Sequence, residues 1–125
     1  MASGERIVVA DDSRTAVKVL EFALTKQGYE VVTAEDGLEA LARIRETRPR
    51  LVIVDGMMPE LDGFGVAAAV RDDPSIDPKP HVIMVTAEGR DADRANAMAS
   101  GVNDFLWKPF SPSDLLAKVR AALDE

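Results

Sequence analysis

The chain has 125 residues, enough for one domain with one real core and too few for two. Its 15 Lys and Arg against 22 Asp and Glu give a net charge of −7, which repels phosphate backbones and, with no basic cluster, argues against direct nucleic-acid binding. With 46 % apolar residues it is too rich for a disordered chain, with no cysteine it has no disulfide or thiol chemistry, and with a single histidine, His81, it has no two-histidine site.

The unbroken apolar stretches, such as Val66–Val70, fall far short of a membrane span. The N-terminus has an early acid, Glu5, and only a brief apolar run after it, unlike a signal peptide. These features predict a soluble, cytoplasmic domain with no membrane partner.

Taken in order, Ile7-Val8-Val9-Ala10 reads as a strand. Ser13 can cap a helix running to about Gln27, with Val17, Leu20, Ala23 and Leu24 at helical spacing and Gly28 as its stop. Tyr29–Thr33 reads as a weaker strand whose Glu30 suits a sheet edge. Asp36 with Glu39 resembles a capping box, and Leu38, Leu41 and Ile44 are expected to form the buried stripe of the next helix. Leu51-Val52-Ile53-Val54 is a second continuous apolar strand. Gly63 to Arg71 is helical and halts at Asp73-Pro74. His81, read as structural, opens a third apolar strand, Val82-Ile83-Met84-Val85. Residues 91–100 form a predicted fourth helix ended by Gly101, and Asn103–Trp107 a short fifth strand. Ser111-Pro112-Ser113-Asp114 is a strong helix start, followed by Leu115, Leu116, Val119 and Leu123.

Continuous β-branched runs mark parallel strands covered on both faces, and every crossover is long enough for a right-handed connection. The expected architecture is α/β, a doubly wound, flavodoxin-like three-layer sandwich over residues 1–125.

In open parallel sheets, ligands bind at the carboxyl ends of the strands. Asp11 and Asp12 follow the first strand, Asp55 the third, Thr86 the fourth and Lys108 the fifth. Helix capping explains one such Asp but not the whole set. Neighbouring carboxylates repel one another and invite a cation, and hard oxygens without His or Cys suit Mg²⁺. A carboxylate can also act as a nucleophile toward phosphorus, with the metal, Lys108 and the Thr86 hydroxyl stabilising the transferring group.

Asp11-Asp12, then Asp55-Gly56-Met57-Met58-Pro59-Glu60-Leu61-Asp62-Gly63, then Thr86-Ala87, then Lys108-Pro109-Phe110 resemble the receiver domain of bacterial two-component response regulators. The resemblance runs from about Arg6 to Leu123 and implies the strand order 2-1-3-4-5. It implies that Asp55 is the phosphoacceptor and that Asp11, Asp12, Asp55 and the backbone carbonyl of Met57 hold Mg²⁺. Lys108 and Thr86 then bind the phosphoryl group, Thr86 and Phe105 form the switch, and the Lys108–Pro109 bond is cis. Phe105 is expected to turn inward when Thr86 moves, and it lacks the hydroxyl that a tyrosine would bring. Met57 and Glu88 stand where the family tunes phosphoryl lifetime. The implied partners are a histidine kinase or histidine phosphotransfer protein, and a downstream protein. The downstream protein is met by the surface of the predicted fourth helix, fifth strand and fifth helix, a region that includes Arg90, Asp91, Asp93 and Arg94.

Three other readings share parts of this pattern. A haloacid-dehalogenase-type phosphatase or phosphotransferase also uses an Asp nucleophile with Mg²⁺ but has a second Asp two residues on, where this chain has Met57. A flavodoxin-like cofactor binder wants a Ser/Thr/Gly-rich phosphate loop where Asp11-Asp12-Ser13 stands. A degenerate receiver acting as a docking module would have lost signature positions that are intact here. The start at Met1, with no visible tag, leads us to expect a free-standing regulator rather than a receiver excised from a longer protein. Self-phosphorylation and self-dephosphorylation are the only reactions expected.

Overall fold

The computed structural model describes residues 4–87 and 101–123. The helix predicted over 91–100, together with Glu88, Arg90, Asp91, Asp93 and Arg94, lies outside the described residues. Within them the order is β1 (Arg6–Ala10), α1 (Arg14–Thr25), β2 (Glu30–Ala34), α2 (Gly37–Thr47), β3 (Leu51–Asp55), α3 (Gly63–Asp72), β4 (His81–Ala87), β5 (Asp104–Lys108) and α4 (Pro112–Ala122).

The five strands form one parallel sheet in the order β2-β1-β3-β4-β5. The continuous apolar runs have the physical cause expected of them. Alternate residues of each strand enter different cores, so both faces must be apolar. Val8, Val52, Val54, Met84 and Phe105 pack with α2 and α3, whereas Ile7, Val9, Ile53, Ile83, Val85 and Leu106 pack with α1 and α4. Ile53, at the centre, is 1 % exposed, and truncating it to alanine is expected to cost about 2–5 kcal/mol.

The helix starts follow their caps. The side chains of Ser13, Asp36, Asp62 and Ser111 accept hydrogen bonds from the amides of Ala16, Glu39, Gly65 and Asp114. Ser111 and Asp114 form a complete capping box. At α2 the box is displaced: the Glu39 carboxylate accepts from the amide of Glu35, one residue before the cap, at 2.7 Å. The buried stripe expected of α2 also needs correction. Gly37, Ala40, Leu41 and Ile44 are buried, whereas Leu38 is 54 % exposed, because it is rotated about 100° from the inward-facing Gly37. The helix expected to reach Gln27 ends at Thr25. Among the described residues no helix is long and apolar enough to cross a membrane.

Candidate functional site

Register brings the polar strand ends together. Ala10 pairs with Val54, so Asp11 and Asp55 follow side by side as their strands end. Asp55 pairs with Val85, and Ala87 pairs with Lys108, which carries the polar edge across β4 to β5. One carboxylate oxygen from each of Asp11, Asp12 and Asp55 lies within 4.8 Å of the others. Asp11 and Asp55 are buried and Asp12 is exposed, so the cluster opens to solvent on one side.

Each buried carboxylate is held by specific donors. The Met57 amide donates to Asp55 Oδ1 at 3.0 Å, and the Lys108 ammonium donates to Asp55 Oδ2 at 3.1 Å. The Ser13 amide donates to Asp11 Oδ1 at 2.9 Å. Burial pushes the Asp11 carboxyl up from its ordinary 3.8 to about 6; the Ser13 amide opposes this and the Asp55 charge adds to it.

The donor set therefore fits a hard divalent cation. Three carboxylates converge with no nitrogen or sulfur among them, and a cation would offset both the burial that raises Asp11 and the repulsion between neighbouring charges. Asp11, Asp12 and Asp55 are the side chains that could hold it. Met57 is 68 % exposed at the mouth, where Asp12, Gly56, Met58, Pro59 and Asp62 line an open hollow with it.

The remaining expected residues are distributed differently. Thr86 is half-buried beside Gly56, where an added Cβ would stand 3.7 Å from its hydroxyl oxygen. Phe105 is away from the carboxylates, on the α2 and α3 side of the sheet. It is already inward, 5 % exposed and stacked on Trp107 with ring centroids 5.5 Å apart. His81 opens β4 half-buried, and burial holds its imidazole below the ordinary value. Lys108–Pro109 is cis as expected, and Asp77–Pro78 is cis as well. Sequence reasoning missed Gly37, Leu61 and Gly65, which shape the loop after Asp55. Glycine at the first turn of two successive helices, where alanine is the better helix former, was the available signal.

Fold and site together define a doubly wound α/β protein with a carboxylate cluster and one lysine at the carboxyl edge of its sheet. The model of the response regulator receiver domain matches residues 7–120, and the chain belongs to that family, the signal-transducing domain of two-component systems. It is 44 % identical over 119 residues to the probable transcriptional regulator ycf27 of Guillardia theta, covering 95 % of this chain and 45 % of that one. It is 38 % identical over 120 residues to protein PilG of Pseudomonas aeruginosa, covering 96 % and 88 %. The chain thus spans about half the length of the ycf27 relatives and most of PilG. Among solved structures it is similar to a putative response regulator from Chloroflexus aurantiacus, with TM-score 0.90, 32 % identity and coverage of 98 % and 100 %. It is also similar to the chemotaxis response regulator CheY4 of Vibrio cholerae, with TM-score 0.89, 32 % identity and coverage of 96 % and 99 %. The family membership makes this chain part of phosphorylation-based signalling.

Proposed function

We propose that residues 1–125 form one cytoplasmic receiver unit that works as a phosphorylation-activated switch, with Asp55 as the acceptor and Mg²⁺ as the cofactor. The observation that carries this is the pairing of Lys108 with Asp55 beside two further carboxylates. A carboxylate oxygen of Asp55 attacks the phosphorus of a phosphohistidine on a kinase or phosphotransfer protein. The P–N bond breaks, its electron pair stays on the imidazole nitrogen, and an acyl phosphate forms. Asp11, Asp12, Asp55 and the Met57 carbonyl would hold Mg²⁺, which when bound offsets negative charge on the phosphoryl oxygens.

The chain's own groups do the rest. The Met57 amide holds Oδ1, so Oδ2 is the oxygen beside the lysine. Lys108 screens the carboxylate before transfer and the phosphoryl oxygens after it. The Thr86 hydroxyl donates to a phosphoryl oxygen, and Phe105 responds through the packing between β4 and β5. The consequence is a changed surface along β5, α4 and residues 91–100, where a downstream protein binds. Met57, exposed beside the cluster, and Glu88 tune the lifetime of the acyl phosphate. The test is intact mass after incubation with Mg²⁺ and a small acyl phosphate, beside Asp55→Asn. A single phosphoryl gain, lost with EDTA and absent in the variant, is expected; a gain in the variant would place the acceptor elsewhere.

A further inference from the structure

Leu61 lies in the loop that joins Asp55 to α3, and two glycines make its seat. A Cβ on Gly37, the first residue of α2, would overlap the Leu61 carbonyl and stand 2.7 Å from its Cβ. A Cβ on Gly65, in the first turn of α3, would overlap Leu61 Cδ1 and stand 3.0 Å from Cγ. The base of the same loop is equally close, since a Cβ on Gly63 would stand 2.6 Å from the Asp55 carbonyl oxygen. Between these anchors the chain turns tightly. The Leu61 amide donates to the Pro59 carbonyl at 2.8 Å, and Glu60 takes the left-handed conformation, φ 70°, that a non-glycine residue rarely adopts unaided.

The loop carries the amide that holds Asp55 Oδ1. Its far anchor, the start of α2, is in turn tied to the start of α1, because the Arg14 guanidinium pairs with Glu35 at 2.9 Å.

We propose that Leu61, seated between Gly37 and Gly65, is the positioning residue of the acceptor loop and sets the affinity of the Asp11, Asp12 and Asp55 cluster for Mg²⁺. This rests on the metal reading of the preceding subsection. Residues that orient a metal site without touching the ion commonly change its affinity by tenfold or more.

The experiment is Mg²⁺ titration calorimetry on the full chain, with hydrogen exchange of the Met57 amide in the metal-free protein as a second readout. Gly37→Ala is expected to weaken Mg²⁺ about tenfold and to speed exchange at Met57. Gly65→Ala acts in the same direction, but added to Leu61→Ala it has little further effect, because the shortened side chain leaves room for the new methyl. Gly101→Ala is the control. Its φ of 101° makes it destabilising, yet it precedes β5 at the opposite end of the sheet, so Mg²⁺ affinity is retained. Unchanged affinity in folded Gly37→Ala, or an equal loss in Gly101→Ala, would overturn the proposal. If Gly37→Ala does not fold, the Gly65→Ala and Leu61→Ala pair decides by the same criterion. Failure of the metal reading itself looks different: the original protein then takes up no Mg²⁺, and both fall.

Discussion

The Lys108 ammonium lies 3.1 Å from Oδ2 of Asp55, joining the end of β5 to the end of β3 across the intervening β4. Lys108 is 43 % exposed in its side chain and Asp55 only 11 %, so the pair has a wet end and a buried end. On the proposed function, a cation at this place has opposite effects on metal uptake and on phosphoryl transfer. It competes with a metal ion for the carboxylate, and it stabilises a phosphoryl group once one arrives.

Lys108→Ala should separate these effects. Mg²⁺ affinity is expected to rise by about two- to fivefold, since a like charge near the metal is removed. Labelling by an acyl phosphate should fall by about 10²-fold or more, the usual loss when one preorganised charge is deleted. Calorimetry and time-resolved intact mass measure the two. A fall in both together would mean that Lys108 supports the fold of the site rather than its chemistry.

Asp11→Asn should stabilise the metal-free protein at neutral pH. The Asp11 carboxyl is raised to about 6, above its unfolded value of 3.8, so its favourable contribution is complete below 3.8 and is lost as pH rises through 6. At pH 7 the buried charge is a cost of roughly 1–3 kcal/mol, which the amide does not carry. Urea unfolding in EDTA at pH 7.5 checks this, and an unchanged or lower midpoint for the variant would remove the basis of the argument.

The same carboxyl predicts how metal uptake depends on pH. Below about 6, Mg²⁺ must displace a proton held by Asp11, so apparent affinity should fall about tenfold per pH unit there and level off above 7. Calorimetry in two buffers of different ionisation enthalpy should register up to one proton released near pH 6. A flat affinity between pH 5 and pH 7.5 would contradict the raised Asp11 carboxyl.

Phe105→Leu should report on the aromatic stack. The Phe105 and Trp107 rings are nearly parallel, with 10° between their planes, and such a pair contributes about 0.5–1.5 kcal/mol beyond its area. Trp107 is the sole tryptophan, so its emission reads the change without interference. The variant is expected to lose about that much stability and to shift the Trp107 emission before any phosphodonor is added. If Phe105 belongs to the switch, the further change on phosphorylation should shrink by at least half.

Much of the architecture was legible because burial on both faces of a parallel strand demands uninterrupted apolar runs, and β1, β3 and β4 each show one. The helix starts at Ser13, Asp36 and Ser111 were legible because an orphan amide needs an acceptor a few residues away. Leu38 was misplaced for a physical reason: its neighbour Gly37 occupies the inward position, and a glycine carries no apolar signal to mark the buried line. Phe105 stands inward in this structure, stacked on Trp107, a placement that packing across β4 and β5 decides and no local pattern marks.

The acidic cluster divides the same way. By itself the sequence determined which groups stand at the strand ends, since a carboxylate closing an apolar run is a local pattern. It also determined that only hard oxygen donors are available, since composition alone excludes thiolate and two-histidine sites. Only the tertiary structure decided that Asp11 sits beside Asp55, that Lys108 reaches Asp55 from two strands away, and that Leu61 enters a seat made by two helices. Those outcomes depend on strand order and register, which are set by long crossovers and by packing between residues far apart in the chain, and no local pattern of residues encodes them.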